Sequence, residues 1–170
     1  MATPPLTITV LGAGVIGLST ALALSAAHPT ATLTIVATHF PGDRSIAYCS
    51  PWAGACWFSM ATDNGPLEHY DCITFHRFNE IMNGKVVHGC SVNKTGEGNE
   101  AGLGKMGMWA VFDNSREEAE VLSQGTGRVW YEELVGGLAD LRKEDLPEGA
   151  VWGMDMKKTF RINTQVYLQW

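Results

Sequence analysis

The sequence predicts an α/β fold that begins with a strand, a glycine-rich turn, a helix and a second strand. The apolar run at residues 6–11 leads directly into the glycines of the turn. A helix at residues 15–27 follows, and Pro29 ends it. A second strand is predicted at residues 32–37, with Leu33, Ile35 and Ala37 on one face and Thr32, Thr34 and Val36 on the other. A strand, a crossover helix and a strand in this order form a right-handed parallel unit.

The turn has the GxGxxG pattern of dinucleotide-binding units. Gly12 permits a tight turn out of the strand, Gly14 leaves room for a pyrophosphate, and Gly17 lets the helix lie close to the strand. The helix that begins near Val15 would direct its free N–H groups and its positive dipole end at the phosphates. The first unit is therefore predicted to be a Rossmann-like βαβ unit that binds a nucleotide.

Composition and charge exclude several kinds of partner. The net charge of −6 and the lack of a basic stripe argue against nucleic acid. Residues 6–27 carry no charge, but the first cation is Arg44, so the basic flank of a signal peptide or membrane span is missing. The cysteines lack CxxC spacing and the histidines are scattered, so we expect reduced thiols and no metal site.

A second helix is predicted from Pro66 to the stop at residues 83–84, with a capping side chain at residues 63–64. Its core-facing stripe is predicted to be Leu67, Tyr70, Thr74, Phe78 and Ile81.

The remaining segments are predicted more coarsely. Strands are expected at 85–92 and 106–112, a surface loop at 93–105, a turn at 147–149 and an extended segment at 151–162. The secondary structure of residues 130–141 is ambiguous. Asn163 is predicted to cap a short helix at residues 164–170.

The end of the second predicted strand carries no acidic residue. Many nucleotide-binding units hold the ribose hydroxyls with a carboxylate at this point, whereas this chain has Thr38 and His39. Either side chain can hydrogen-bond a ribose, but neither accepts as strongly as a carboxylate. The fingerprint alone therefore does not separate NAD from FAD, and it leaves weaker adenosine binding or no adenosine binding open.

The segment Ser-Pro-Trp-Ala-Gly-Ala-Cys-Trp at residues 50–57 favours a flavin. Its small residues Ala53, Gly54 and Ala55 would let backbone N–H groups approach a flat ring. The alternative interpretation is a packed turn with two tryptophans.

Three blocks carry a resemblance to a known family: residues 12–24, residues 50–57, and residues 150–170 with the segment Arg-Ile-Asn-Thr-Gln-Val-Tyr-Leu-Gln-Trp at their end. In this order and at this spacing they resemble the FAD-dependent D-amino-acid oxidases, including D-aspartate oxidase. The resemblance implies that residues 1–60 are the first segment of an FAD-binding domain. Residues 61–148 would be part of an α+β substrate domain, and residues 149–170 would return to the FAD-binding domain.

The resemblance also implies cofactor contacts. The family's phosphate-binding turn matches Gly12, Ala13, Gly14, Val15, Ile16 and Gly17. Thr38 and His39 replace the charged residues that the family commonly carries near the adenosine ribose. Ser45 falls at a cofactor-contacting serine, and Gly54 and Ala55 fall where backbone lines the flavin. Cys56 stands where related chains often have Asn or no residue. No catalytic or metal-binding residue is assigned.

The activity that the resemblance implies is oxidative deamination of D-amino acids to 2-oxo acids, with release of ammonia and hydrogen peroxide. Family members are much longer, so the chain is expected to be a truncated and inactive form. The alternatives are a non-catalytic fragment that binds a nucleotide or forms an oligomer through its exposed sheet edge, and an NAD-dependent dehydrogenase unit. The family implies a peroxisomal location, but the terminal residues Leu168-Gln-Trp170 form no peroxisomal signal, which leaves the cytoplasm as the other location.

Overall fold

The computed structural model describes residues 4–85, 92–95 and 98–170. Strand β1 (Thr7–Leu11), helix α1 (Val15–Ala27) and strand β2 (Thr32–Val36) form the first unit. The two strands pair in parallel, from Thr7 opposite Thr32 to Leu11 opposite Val36. The predicted parallel strand, helix and strand are thus confirmed.

The glycine turn between β1 and α1 has the conformation that its sequence requires. Gly12 has a φ of +98°, a region that other residues rarely adopt, and its N–H extends the ladder to the Val36 carbonyl at 2.8 Å. A Cβ on Gly17 would lie 2.0 Å from the Gly12 carbonyl oxygen. The start of α1 therefore lies against the end of β1, at a distance that only glycine allows at position 17.

The parallel unit exposes apolar side chains, as expected for so small a sheet. Leu11 and Ile16 are each 80% exposed, and Leu6, Leu22 and Val36 are at least half exposed. Exposed apolar residues are common at protein surfaces.

The remaining strands form an antiparallel sheet. They are β3 (Ala55–Cys56), β4 (Lys94–Thr95), β5 (Gly98–Asn99), β6 (Leu103–Phe112), β7 (Leu138–Asp140) and β8 (Trp152–Ile162). The order is β3-β8-β6-β5-β4, and β7 also pairs with β8. The β6–β8 ladder runs from Leu103 opposite Ile162 to Phe112 opposite Trp152. The predicted strand at 106–112, the extended segment at 151–162 and the turn at 147–149 are confirmed.

The prediction of a surface loop at residues 93–105 is wrong, because β4, β5 and the start of β6 lie there. Glycine and polar residues suggested a loop, but Asn99 and Leu103 are buried. The Asn99 side chain accepts the Leu103 N–H at 3.0 Å and thereby stabilises a tight turn between β5 and β6. The strand predicted at 85–92 falls mostly outside the described residues.

Helix α2 (Pro66–Met82) has the predicted bounds and packs against the antiparallel sheet. The ring centroids of Phe75 and Phe160 are 5.0 Å apart, and those of Phe75 and Trp57 are 4.8 Å apart. The predicted core stripe is correct at Phe78 and Ile81 but wrong at Leu67, Tyr70 and Thr74, which are exposed.

Glu68 explains this error. Its carboxylate accepts the Asn64 N–H at 3.0 Å and is buried, so this side of the helix faces inward. The Asp63 carboxylate caps the helix by accepting the N–H groups of Leu67 and Glu68 at 3.0 and 3.1 Å. Hydrophobicity alone would place a glutamate at the surface, whereas Glu68 is buried because it takes part in the cap of the helix.

A short helix α3 (Thr164–Tyr167) follows β8 and ends three residues before the predicted bound at residue 170. The Asn163 side chain accepts the Val166 N–H, as predicted. Strand β8 lies in the same sheet as β6. The division into FAD-binding residues 1–60, substrate-domain residues 61–148 and returning residues 149–170 stays a prediction.

Candidate functional site

A groove of about 430 Å³ lies where β1 and β2 end. Carboxyl ends of parallel strands are the usual place for a ligand in α/β sheets. The groove is lined by Gly12, Ala13, Gly14, Val36, Ala37, Thr38, His39, Tyr48, Cys49 and Ser50. The glycine turn, the end of β2 and the loop before residue 50 thus share one concave surface.

Ser50 contacts the beginning of α1. Its Oγ accepts the Val15 N–H at 3.1 Å, which satisfies one of the free donors of the helix N-terminus. A Cβ on Gly14 would lie 2.8 Å from the same Oγ. Any side chain at position 14 would therefore displace the Ser50 hydroxyl, and glycine leaves this part of the groove unfilled.

Tyr48 connects the loop to the glycine turn. It is 6% exposed, and its hydroxyl donates to the Ala13 carbonyl. Burial, followed by the charge of the Asp43 carboxylate, raises the pKa of Tyr48, so the hydroxyl keeps its proton and stays a donor. The Tyr48 ring also stacks on the His39 ring, with centroids 6.0 Å apart and planes 26° apart.

The segment at residues 50–57 lies between α1 and α3. It begins with a single 3-10 turn (Ser50–Trp52) and ends in β3, which pairs with β8. Thr164 Oγ1 lies 3.1 Å from the carbonyl oxygens of both Pro51 and Ala53. The three blocks that carry the family resemblance are therefore in direct contact, through Val15 to Ser50 and through Pro51 to Thr164.

The structure brings only some of the predicted cofactor residues together. The groove is lined by five of them: Gly12, Ala13, Gly14, Thr38 and His39. Val15 is joined to it through Ser50, and Gly17 packs behind it against Gly12. Ile16 faces away and is exposed. Outside the lining are Ser45, Gly54, Ala55 and Cys56.

Ser45 lies in the loop before residue 50, Gly54 lies directly before the edge strand β3, and Ala55 and Cys56 form that strand. The Ser45 carbonyl accepts the Trp52 indole N–H at 2.9 Å, and its hydroxyl accepts the Ala47 N–H at 3.2 Å. A Cβ on Gly54 would meet nothing within 4 Å, so its backbone faces open space. Ala55 and Cys56 pair with Ile162 and Arg161 in β8.

Sequence reasoning missed Tyr48 and Cys49 as lining residues. Their only signal was their position directly before Ser50. Whether such a loop folds back onto a glycine turn depends on contacts between residues far apart in the chain.

No group of three or more His, Cys, Asp and Glu side chains in residues 4–85, 92–95 and 98–170 is arranged to hold a metal ion. Within the same residues, no helix has the length and apolar character needed to cross a bilayer. Cys49, Cys56 and Cys72 are free thiols.

Comparison with known proteins identifies relatives of the chain. It is 31% identical to the D-amino-acid oxidase of Schizosaccharomyces pombe over 167 residues, which are 98% of this chain and 42% of that protein. It is 28% identical to the D-aspartate oxidase of Talaromyces thermophilus, over 98% of this chain and 46% of that protein. A 76-residue segment, 45% of this chain and 20% of the relative, is 42% identical to the D-amino-acid oxidase of Fusarium vanettenii. No protein-family model matches.

The sequence is therefore similar to a class of proteins that are named as oxidases of D-amino acids. The chain is a relative of D-amino-acid oxidase and D-aspartate oxidase, so the resemblance carried by the three blocks is confirmed. The chain spans less than half the length of these curated relatives.

Proposed function

We propose that the groove binds the adenosine diphosphate part of FAD and that the chain supplies the cofactor-binding part of a D-amino-acid-oxidase-type flavoprotein. The observation that carries the proposal is the glycine turn at the carboxyl ends of β1 and β2. There Gly14 leaves a space that a Cβ would fill against Ser50. The residues present fit a pyrophosphate, because backbone can approach it and a helix begins beside it.

In this proposal each predicted contact has a physical role. Backbone from Gly12 to Gly14 lies along the pyrophosphate, and the start of α1 at Val15, Ile16 and Gly17 directs its dipole at the negative charge. Thr38 and His39 lie at the end of the groove where the ribose would be held.

The isoalloxazine ring would lie beyond Ser50. The open backbone at Gly54 supports this position, and Ala55, Cys56 and Ser45 would be its neighbours. Thr164 stabilises the segment through its contacts to Pro51 and Ala53. When bound, FAD supplies a hydride acceptor for the Cα–H of a D-amino acid. The protein's contribution to such a reaction is mainly to position the reacting atoms.

We propose a D-amino acid as the substrate class, and the names of the relatives, D-amino-acid oxidase and D-aspartate oxidase, support it. We assign no catalytic residue in this chain, and we propose that these 170 residues alone do not turn over a D-amino acid. Peroxide formation from D-alanine or D-aspartate by this chain with added FAD would contradict that part of the proposal.

A peroxisomal location and pairing of two copies through the sheet edge remain predictions. Microscopy of a fluorescent fusion tests the location. The molecular mass measured by light scattering at several concentrations tests the pairing.

The decisive experiment is the visible absorbance spectrum of the purified chain after incubation with FAD and gel filtration. Flavin bands should comigrate with the protein. Gly14→Val should abolish them, because its side chain fills the space under Ser50. Gly107→Ala is the matched control, since its Cβ would make only an ordinary contact of 3.4 Å with the Met156 carbonyl oxygen. A colourless folded wild-type protein, or displacement of FAD by an equal concentration of NAD, would contradict the proposal.

A further inference from the structure

The loop before α2 holds an asparagine–glycine pair in an unusual backbone conformation. Asn64 has a φ of +45°, and in the part of the chain that the structure describes it is the only residue other than glycine with a positive φ. This left-handed region is unfavourable for most side chains, although asparagine tolerates it. Two carboxylates fix the loop, because Glu68 accepts the Asn64 N–H and Asp63 accepts the Leu67 N–H, both at 3.0 Å.

The two groups that can react with each other in an asparagine–glycine pair are both accessible in this loop. The Asn64 side chain is exposed, and its carboxamide forms no hydrogen bond with any residue that the structure describes. Gly65 has no side chain to shield its backbone nitrogen. Backbone N–H groups, first that of Leu67 and also that of Gly65, hold the pKa of Asp63 below its ordinary value. The Gly65 N–H is therefore directed at a carboxylate that can accept its proton.

A second asparagine–glycine pair lies at the other end of α2, in different surroundings. Asn83 and Gly84 are also exposed. However, the Gly84 N–H donates to the Ile81 carbonyl at 3.1 Å, and the Asn83 N–H donates to the Asn79 carbonyl at 3.0 Å. A carbonyl oxygen is a far weaker base than a carboxylate, and this turn must open before the Gly84 nitrogen can leave its partner. The same dipeptide thus occurs once in a reactive and once in a protected setting.

We propose that Asn64 is a site of spontaneous deamidation and that Asp63 accepts the proton of the attacking Gly65 nitrogen. This nitrogen forms a bond to the Asn64 carboxamide carbon, and the carboxamide nitrogen leaves as ammonia with the proton that Asp63 returns. The product is a five-membered succinimide ring. Water then adds to either ring carbonyl and opens the ring to aspartate or isoaspartate. No oxidant, reductant or nucleotide takes part, so the reaction is independent of the proposed function.

The isoaspartate product would disrupt the start of α2. It inserts one carbon into the backbone between positions 64 and 65. The cap depends on the spacing between Asp63, which accepts the N–H groups of Leu67 and Glu68, and the helix that follows. A longer backbone cannot keep these bonds and the bond from Asn64 to the Glu68 carboxylate together. The isoaspartyl chain should therefore unfold at a lower temperature than the unmodified chain.

Peptide mapping by mass spectrometry tests the proposal, after storage of the full folded chain in water labelled with heavy oxygen. The label marks ring opening that takes place in the folded protein, before digestion. It should enter position 64 about tenfold faster than position 83, as expected if the last turn of α2 opens at a cost of about 1.4 kcal/mol. In denaturant the two rates should converge, because the two dipeptides are the same. Labelling at position 64 that is no faster than at position 83 in the folded chain overturns the proposal.

Two variants separate the reaction from a general loosening of the loop. Asp63→Ser keeps an oxygen that can cap α2 but removes the carboxylate, so labelling at position 64 should slow severalfold while that at position 83 stays unchanged. An unchanged rate at position 64 overturns the role of Asp63. Asn64→Gly is the matched control, because glycine accepts a φ of +45° and has no carboxamide. Its unfolding temperature should stay constant during storage while that of the wild type falls, and an equal fall in both overturns the proposed effect on α2.

Discussion

At the scale of single residues, the glycine turn is specified by contacts that only glycine allows. A Cβ on Gly17 would lie only 2.0 Å from the Gly12 carbonyl oxygen. These requirements are predictable from the sequence, because the GxGxxG spacing encodes them locally. The role of Tyr48 was not predictable, because its hydroxyl contacts a carbonyl 35 residues earlier in the chain.

Gly17→Ala tests the closeness of α1 to β1. The added methyl group would overlap a backbone atom, so the helix must move away from the strand. Overpacking of this kind costs about 1–3 kcal/mol, and the better helix propensity of alanine offsets up to about 1 kcal/mol. Urea unfolding should show a net destabilisation of the variant and almost none in Gly107→Ala. Equal stability of Gly17→Ala and wild type would mean that the turn is not tightly packed.

At the scale of elements, local signals predicted the bounds of α1 and α2 but not which face of α2 is buried. The predicted bounds of α1 agree with the structure, because Pro29 and the glycine turn mark its ends. The buried face of α2 was misassigned, because a capping role buries Glu68 and no periodicity of apolar residues reports that. Residues 93–105 were predicted as a loop because short strands rich in glycine and asparagine are stabilised by their partners and not by their own propensity.

The Asp63 cap makes α2 sensitive to pH. Backbone N–H groups, first that of Leu67, hold the pKa of Asp63 below its ordinary value of 3.8. Because the folded-state pKa is depressed, this stabilisation is complete above the unfolded-state pKa. It is lost as the pH falls through the lower, folded-state pKa. Asp63→Ala should therefore lower the thermal unfolding midpoint at pH 7. Its effect should be smaller at pH values below the folded-state pKa of Asp63. An effect that does not change with pH would show that the carboxylate charge is not involved.

At the scale of the whole molecule, β8 joins the parts. It pairs with β3, β6 and β7, and the residues after it contact the segment at 50–57. Its buried side chains include Met154, Met156 and Phe160, which belong to the main hydrophobic core. The strand itself was predictable from its extended pattern, but its three partners were not, since pairing between distant segments leaves no local signature in a single sequence.

Phe160→Ala measures how strongly β8 holds α2. The Phe160 ring is 2% exposed and contacts the rings of Phe75 and Phe78, at centroid distances of 5.0 and 5.8 Å. Its removal should destabilise the protein by about 3–5 kcal/mol. Chemical denaturation is the measurement, and Val111→Ala, at a 43% exposed residue of β6, should cost less than about 1 kcal/mol. Similar losses in both variants would contradict a single core between the sheet and α2.

The position of β8 also has a consequence for synthesis on the ribosome. The parallel unit needs only residues that are close together in the chain, so it can fold soon after β2 emerges. The antiparallel sheet cannot close at that stage, because β3 and β6 pair with a strand that is translated after both of them. During this interval the aromatic face of α2 has no sheet to cover it. The nascent chain therefore passes through a stage at which chaperone binding is most useful, and it leaves that stage when β8 arrives.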